Sequence, residues 1–109
     1  MADPTVPTPD PAGVPALQDA IRHMHGCGSR FVEWQIVRDT FQGAVVFERT
    51  VGVFALTGHV DAAKAYAWSE PGTSSPTARR FFAVLHWPPV NSALAAVRAS
   101  VMQDAREKR

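Results

Sequence analysis

The chain lacks the features of several specialised classes of protein. Its 109 residues include a single cysteine, Cys27, so no disulfide can form within the chain, and none is expected in a reducing compartment. No apolar run approaches the roughly 20 residues of a membrane-spanning helix. The N-terminus carries acid and proline where a signal peptide needs basic residues and then an apolar stretch. We therefore expect a cytoplasmic protein with no membrane partner.

The chain also lacks a large excess of either positive or negative charge. Eleven basic and ten acidic residues give a formal net charge of +1. Residues 1–14 contain two of the acids, so the remaining chain has eleven basic and eight acidic residues, a net charge of +3 (11 − 8). Nucleic-acid binding usually needs a more concentrated positive surface, so we do not expect a nucleic-acid partner.

The length allows only one domain. Residues 1–14 hold four of the nine prolines and few apolar residues, which predicts a disordered, proline-rich tail. We expect a single α+β domain over residues 15–106 and a frayed, charged C-terminus at 107–109.

The domain begins with an amphipathic helix over about residues 15–25. Its apolar residues recur at i, i+3, i+4 and i+7, and they are Leu17, Ala20, Ile21 and Met24. Pro15 suits the first helical position, and Gly26 or Gly28 can take the left-handed conformation that ends a helix.

Four segments with strand patterns follow, namely FVEWQIV, AVVFERTVGVFALTG, AKAYAWS and ARRFFAVLHW. The second is apolar on both parities, and Gly52 is a position where a bend or a bulge would exchange the two faces. Two prolines close the fourth segment. Asn91 or Ser92 then caps a final helix with one apolar face, formed by Leu94, Val97 and Val101.

This order, α-β-β-β-β-α, predicts an α+β fold. We expect a four-stranded antiparallel meander sheet with the N-terminal and C-terminal helices packed on one face. That arrangement leaves the other face uncovered, although the second strand is apolar on both sides. We therefore expect self-association as a homodimer through the open sheet face or an edge.

The candidate ligand-binding residues are His59, Lys64, Tyr66, Trp68, Arg80 and His86. Lys64, Tyr66 and Trp68 share one face of the third strand, and with Arg80 they would form an aromatic and cationic platform for a planar ligand. The alternative is that Tyr66 and Trp68 pack beneath the helices. We favour the alternative, because large aromatics supply most of the burial in a small domain.

The histidines and the cysteine offer further chemistry. We expect the end of the fourth strand at the opposite edge from the start of the third, so His59 and His86 would meet only if the sheet curls or the second strand pairs with the fourth. In a helix, His23 and His25 point about 200° apart and do not chelate one ion together. We expect no metal or other cofactor, and we interpret Cys27 as a buried or half-buried thiol.

The segments RDTFQG, GHVDAAKAYAWS and FFAVLHWPPVNSALAAVRAS resemble those of small bacterial proteins that are known only as hypothetical. This resemblance covers most of residues 15–102 and implies no activity and no catalytic residue. In topology the chain also resembles the double-stranded-RNA-binding domain. That domain has three strands and a basic start to its last helix, whereas this chain has four and a single Arg98.

Three functions stay open. We favour a small non-enzymatic binding or protein-interaction module, dimeric, with an unidentified protein or small-molecule partner, because no catalytic constellation is present. A small enzyme would use His59 or His86 as acid/base, with Tyr66 as a hydrogen-bond donor. A single-stranded nucleic-acid binder would use the aromatic and basic sheet face, which comprises Lys64, Tyr66, Trp68, Arg79 and Arg80.

Overall fold

The structure, a computed structural model, describes residues 8–72 and 79–107. Its elements are helix α1 (Val14–His25), strands β1 (Gly28–Phe41), β2 (Ala44–Thr57), β3 (Lys64–Pro71) and β4 (Arg79–Leu85), and helix α2 (Ala93–Glu107). Each strand pairs antiparallel with the next in the chain. The predicted α+β class, the element order and the four-stranded antiparallel meander are therefore confirmed.

Helix α1 ends at Gly26, which has the left-handed conformation (φ 70°, ψ 21°) and donates its N–H to the carbonyl of Arg22. Leu17 and Ile21 are fully buried, whereas Met24 is 47% exposed. The buried stripe of α1 is therefore shorter than the apolar spacing predicted.

A two-residue turn joins β1 to β2. Gln42 and Gly43 both have positive φ, 53° and 81°, the combination that a type I′ hairpin turn requires. The register shifts at Val32 in β1 and again beyond Asp39. Gly52 pairs regularly with both neighbouring strands, so the predicted bulge at Gly52 is wrong.

Gly52 instead provides room for aromatic rings. A Cβ at this position would lie 2.7 Å from the ring of Phe54 and 3.2 Å from that of Trp34. Real Cβ atoms essentially never come as close as the first distance, and the second is tighter than most, so the glycine lets both rings lie against the β2 backbone.

The two helices lie on opposite faces of the sheet, so the prediction that both pack on one face is wrong. Trp68 of β3 packs in a cluster with Val97 of α2. The preceding residue, Ala67, packs in a second cluster with Ile21 of α1. Because successive side chains of a strand point to opposite faces, the two clusters lie on the two sides of the sheet.

Side-chain size explains this division. On one face of β3 the small Ala65 and Ala67 leave room for the large apolar residues of α1. On the other face Tyr66 and Trp68 are large, and α2 meets them with small buried residues, Ala93, Ala96 and Val97. Matching large with small side chains fills the space between layers. Both faces thus carry a helix, so the prediction of an open sheet face is wrong.

The predicted disordered tail is wrong for residues 8–14, and residues 1–7 lie outside the described residues. Asp10 is only 5% exposed, and its carboxylate accepts hydrogen bonds from Ser69 of β3. Val14 already belongs to α1. Proline content predicted disorder, but a buried carboxylate with charge-assisted hydrogen bonds orders the segment.

Helix α2 has an N-terminal cap and is hydrogen-bonded to the sheet. The N–H of Ala95 donates to Ser92 Oγ at 3.1 Å, so Ser92 is the capping residue. Arg98 donates to both carboxylate oxygens of Asp39 in β1, at 3.1 and 2.9 Å. On the predicted apolar face Val97 is buried, whereas Val101 is 55% exposed. Residues 108–109 of the predicted frayed end lie outside the described residues.

Candidate functional site

The six predicted ligand-binding residues do not form one surface. Trp68 is fully buried and Tyr66 is 4% exposed, both on the α2 side of the sheet. Trp68 stacks on Phe82, with ring centroids 5.1 Å apart and 9° between the planes. The favoured interpretation of Tyr66 and Trp68 as core residues is confirmed, and the exposed aromatic platform is wrong.

The two basic residues of the predicted platform are exposed. The guanidinium of Arg80 lies over the ring of Phe82, 5.2 Å from its centroid. Arg80 therefore extends the stack of Trp68 and Phe82 towards solvent and covers the end of the core. Lys64 begins β3, and its carbonyl accepts the N–H of His86 at 2.8 Å.

His86 therefore lies beside the start of β3, and not at the opposite edge as predicted from the sequence. That prediction is wrong because the end of one antiparallel strand lies next to the start of its partner. The Nδ1 atom of His86 is 2.7 Å from the hydroxyl of Tyr66. Burial raises the pKa of Tyr66, so the phenol keeps its proton at neutral pH and can donate it to Nδ1.

His59 organises the loop between β2 and β3. Its Nδ1 accepts the N–H groups of Asp61 and Ala62, both at 3.1 Å. Because Nδ1 accepts, the proton of the neutral ring is on Nε2. His59 thus caps a turn. Its Nδ1, the one ring nitrogen that can accept a proton, already accepts two main-chain hydrogen bonds. Three cavities in the described ranges are lined by residues other than His59 and His86.

The HMHGC segment has structural contacts. Cys27 is 7% exposed, as expected of a buried thiol. The Nε2 atom of His25 is 2.8 Å from the carbonyl oxygen of Ala83, and since a carbonyl only accepts, Nε2 donates. Within residues 8–72 and 79–107, no group of three His, Cys, Asp or Glu side chains could hold a metal ion.

The hydrogen bond of His25 closes part of the β4 edge. His86 turns its N–H towards β3, so by alternation Ala83 and Leu85 turn their main-chain groups outward. His25 donates to the outward carbonyl of Ala83, and the N–H of Trp87 donates to that of Leu85 at 3.0 Å. The free edge of β4 is therefore guarded at two successive outward carbonyls.

The opposite edge is β1, and its first part is guarded in the same way. The N–H of Leu56 donates to the carbonyl of Ala63, so the main-chain groups of Leu56 point away from β1. Those of its β1 partner, Ser29, therefore point outward from the sheet. The side chain of Gln18 in α1 donates to the carbonyl of Ser29 at 3.0 Å.

Beyond the register shift at Val32, the β1 edge is open. Alternation along β2 points the main-chain groups of Val53 towards its β1 partner, Glu33. The main-chain groups of β1 that point outward are therefore those of Trp34, Ile36 and Arg38. Among the described residues, no hydrogen bond reaches these groups. Ile36 is also 50% exposed. We call residues 34–38 the open β1 edge.

Neither this edge nor the buried Asp10 was predicted. Strand patterns show which residues alternate, but they do not show which strand ends up at the edge or which edge is guarded. The signal in the sequence for the guards was weak: Gln18 and His25 are the polar residues at the borders of the apolar stripe of α1.

Comparison with known proteins adds no family: no family model, no curated protein and no solved structure matches the chain. In the part of the chain that the structure describes, no helix is long and apolar enough to cross a membrane. The resemblance to small bacterial proteins therefore stays a prediction.

Proposed function

We propose that the protein is a small non-enzymatic interaction module that forms a symmetric homodimer by antiparallel pairing of two open β1 edges. The observation that supports this proposal is the row of outward N–H and C=O groups at Trp34, Ile36 and Arg38. Such groups are a template for another strand. Pairing would satisfy them and remove the half-exposed side chain of Ile36 from water.

A second copy suits this edge because the edge is self-complementary. With the twofold axis beside Ile36, each Ile36 lies opposite its symmetry mate, and Trp34 lies opposite Arg38 of the second copy. Isoleucine pairs and contacts between arginine and tryptophan are both favourable across strands.

The charges on the other face of the sheet limit the strength of this pairing. The same register brings Glu33 opposite Asp39 of the second copy. Asp39 already accepts two hydrogen bonds from Arg98, so this guanidinium offsets part of the repulsion between the two carboxylates. The regular part of β1 between its register shifts is short, residues 33–39. We therefore expect a modest interface and a dimer that dissociates on dilution.

Sedimentation velocity of three chains tests the proposal. In Ile36→Lys, two like charges would face each other across the twofold axis. Val60→Lys is the matched control, because Val60 is 94% exposed in the loop between β2 and β3. At tens of micromolar, wild type and Val60→Lys should have twice the 11.8 kDa chain mass, and Ile36→Lys should have 11.8 kDa. A monomeric wild type, or an Ile36→Lys variant that remains dimeric, would contradict it.

Other contacts bear on the location of the protein and on the enzyme alternative. A cytoplasmic location is supported by the single, buried Cys27. An enzyme using His59 and His86 has less support, because main-chain N–H groups occupy His59 Nδ1 and the Tyr66 hydroxyl occupies His86 Nδ1.

A further inference from the structure

The ladder between β2 and β3 stops short of the end of β3. Its final pair in this direction is Gly52 with Ala67, and alternation turns the main-chain groups of Ser69 towards Thr50 of β2. The N–H of Ser69 donates instead to Asp10 Oδ2 at 2.8 Å. The carbonyl of Ser69 accepts from Nη2 of Arg79 at 3.2 Å. Side chains thus replace the missing strand partner, and we call this gap the β2–β3 fork.

The carboxylate of Asp10 is held by three donors. Besides the N–H of Ser69, the Ser69 hydroxyl donates to Oδ1 at 2.6 Å and the N–H of Ala12 donates to Oδ1 at 2.8 Å. Because the hydroxyl gives its hydrogen to Asp10, its oxygen accepts from Nε of Arg79, at 2.8 Å. The guanidinium therefore polarises the hydroxyl towards the carboxylate, although it does not itself donate to Asp10 in these contacts.

A cavity of about 230 Å³ adjoins these contacts. One wall is the N-terminal segment, residues 8–11, and the other comes from β2, β3 and the first residue of β4. The second wall carries Glu48, Arg49, Thr50, Ser69 and Arg79. Glu48 and Arg49 have their own partners, Arg38 and Glu70. Ser69 is the residue of this wall that donates to the carboxylate, and Arg79 holds the hydroxyl and carbonyl of Ser69.

The N-terminal segment depends on this one carboxylate. Pro9 and Pro11 have no N–H groups to bond to the sheet. The main-chain hydrogen bond of Gly13 to the carbonyl of Asp10, at 3.0 Å, lies within the segment itself. The donors of the fork, in contrast, belong to strands that are paired independently of the segment. The strands therefore supply the groups that bind a carboxylate, and residues 8–13 supply the carboxylate that is bound.

We infer that the β2–β3 fork is a carboxylate-binding site that Asp10 fills in cis, and that residues 8–13 form a strap which an acidic segment of a partner protein displaces. The fork recognises an aspartate side chain in an extended segment through the N–H and hydroxyl of Ser69 and the charge of Arg79. This inference is independent of the open β1 edge.

Chemical rescue of the full-length Asp10→Gly variant by sodium acetate tests the inference. Acetate supplies the carboxylate and methyl carbon that the substitution removes. The variant leaves two buried donors of Ser69 without an acceptor, so its unfolding temperature should fall by about 5–15 °C. With a dissociation constant of about 0.1 M, about 0.5 M acetate should restore roughly 5 °C. Sodium chloride at equal ionic strength should restore none of it.

Two controls separate binding at the fork from general effects of acetate. Asp61→Gly removes an exposed carboxylate and should show neither the loss nor the rescue. Asp10→Asn keeps the volume of Asp10, fills the fork and should be destabilised without rescue, and it serves as the second variant if Asp10→Gly does not fold. Equal responses of wild type and Asp10→Gly to acetate, or an Asp10→Asn variant as stable as wild type, would overturn the inference.

Binding of a segment in trans to the vacated fork is tested with an acetylated and amidated TPDPA peptide, which copies residues 8–12. It should stabilise Asp10→Gly at lower concentrations than acetate does, whereas the TPNPA peptide should have no effect. Equal effects of the two peptides would refute recognition of the carboxylate.

Discussion

Replacement of Trp68 by alanine tests the arrangement of the core most strongly. Trp68 is fully buried between β3 and α2, stacks on Phe82 and donates its indole N–H to Glu70 at 3.3 Å. Truncating a buried tryptophan typically costs about 3–5 kcal/mol, because the transfer of the ring and the cavity left behind both count. The α2 residues of the same cluster, Ala93, Ala96 and Val97, are too small to fill that space, so we expect a value of about 4 kcal/mol.

That loss is large for a domain of this size. Domains are typically stable by about 5–15 kcal/mol, and one kcal/mol corresponds to about 4–8 °C in unfolding temperature for such a chain. Trp68→Ala should therefore unfold about 15–30 °C below wild type, with a matching drop in the urea midpoint.

Trp87→Ala is the matched control, because Trp87 is 52% exposed after the end of β4. The same chemical change there should alter the free energy of unfolding by no more than about 0.5 kcal/mol. Urea titrations followed by circular dichroism measure both variants. Equal losses from the two substitutions, or a loss below about 1 kcal/mol for Trp68→Ala, would refute the placement of α2 over Trp68.

Two further predictions concern pH. Tyr66 is the only tyrosine, and burial raises its pKa above the ordinary 10.0; its phenolate absorbance should therefore appear at higher pH in the folded protein than in urea, and stability should decline as pH rises beyond 10.0. A folded-state midpoint at or below the urea value would contradict the burial of Tyr66. Hydrogen bonds from Arg98 hold the pKa of Asp39 below its ordinary 3.8, so their contribution to stability is complete above pH 3.8 and is lost as pH falls through the lowered pKa. Acid titrations should thus show Arg98→Leu less stable than wild type at neutral pH and nearly equal to it in strong acid, whereas a gap that persists in acid would show that Arg98 acts through packing.

The elements were predictable because each has a local period. Leu17 and Ile21 follow the helical spacing, and β2 carries apolar residues on both parities, as a strand covered on both faces must. The reversal at β3 and β4 also follows from short connections. These signals determine the order of elements and their approximate bounds.

The faces of the sheet and the N-terminal segment were not predictable in the same way. An amphipathic helix needs an apolar surface, but its own sequence does not specify which face of the sheet supplies it. The small size of Ala65 and Ala67 in β3 is what admits α1, but alternation along the strand does not show which helix lies over them. Asp10 is surrounded by prolines, and its burial depends on Ser69, which lies 59 residues away in the chain.

Amide hydrogen exchange at two protein concentrations tests the central claim, the pairing of open β1 edges, most directly. The N–H groups of Ile36 and Arg38 point away from β2, whereas that of Val37 points towards it. We expect Ile36 and Arg38 to exchange slowly in concentrated solution and rapidly after dilution, while Val37 exchanges slowly in both. Rapid exchange of Ile36 and Arg38 at every concentration would show that the β1 edge stays unpaired and would contradict the proposed dimer.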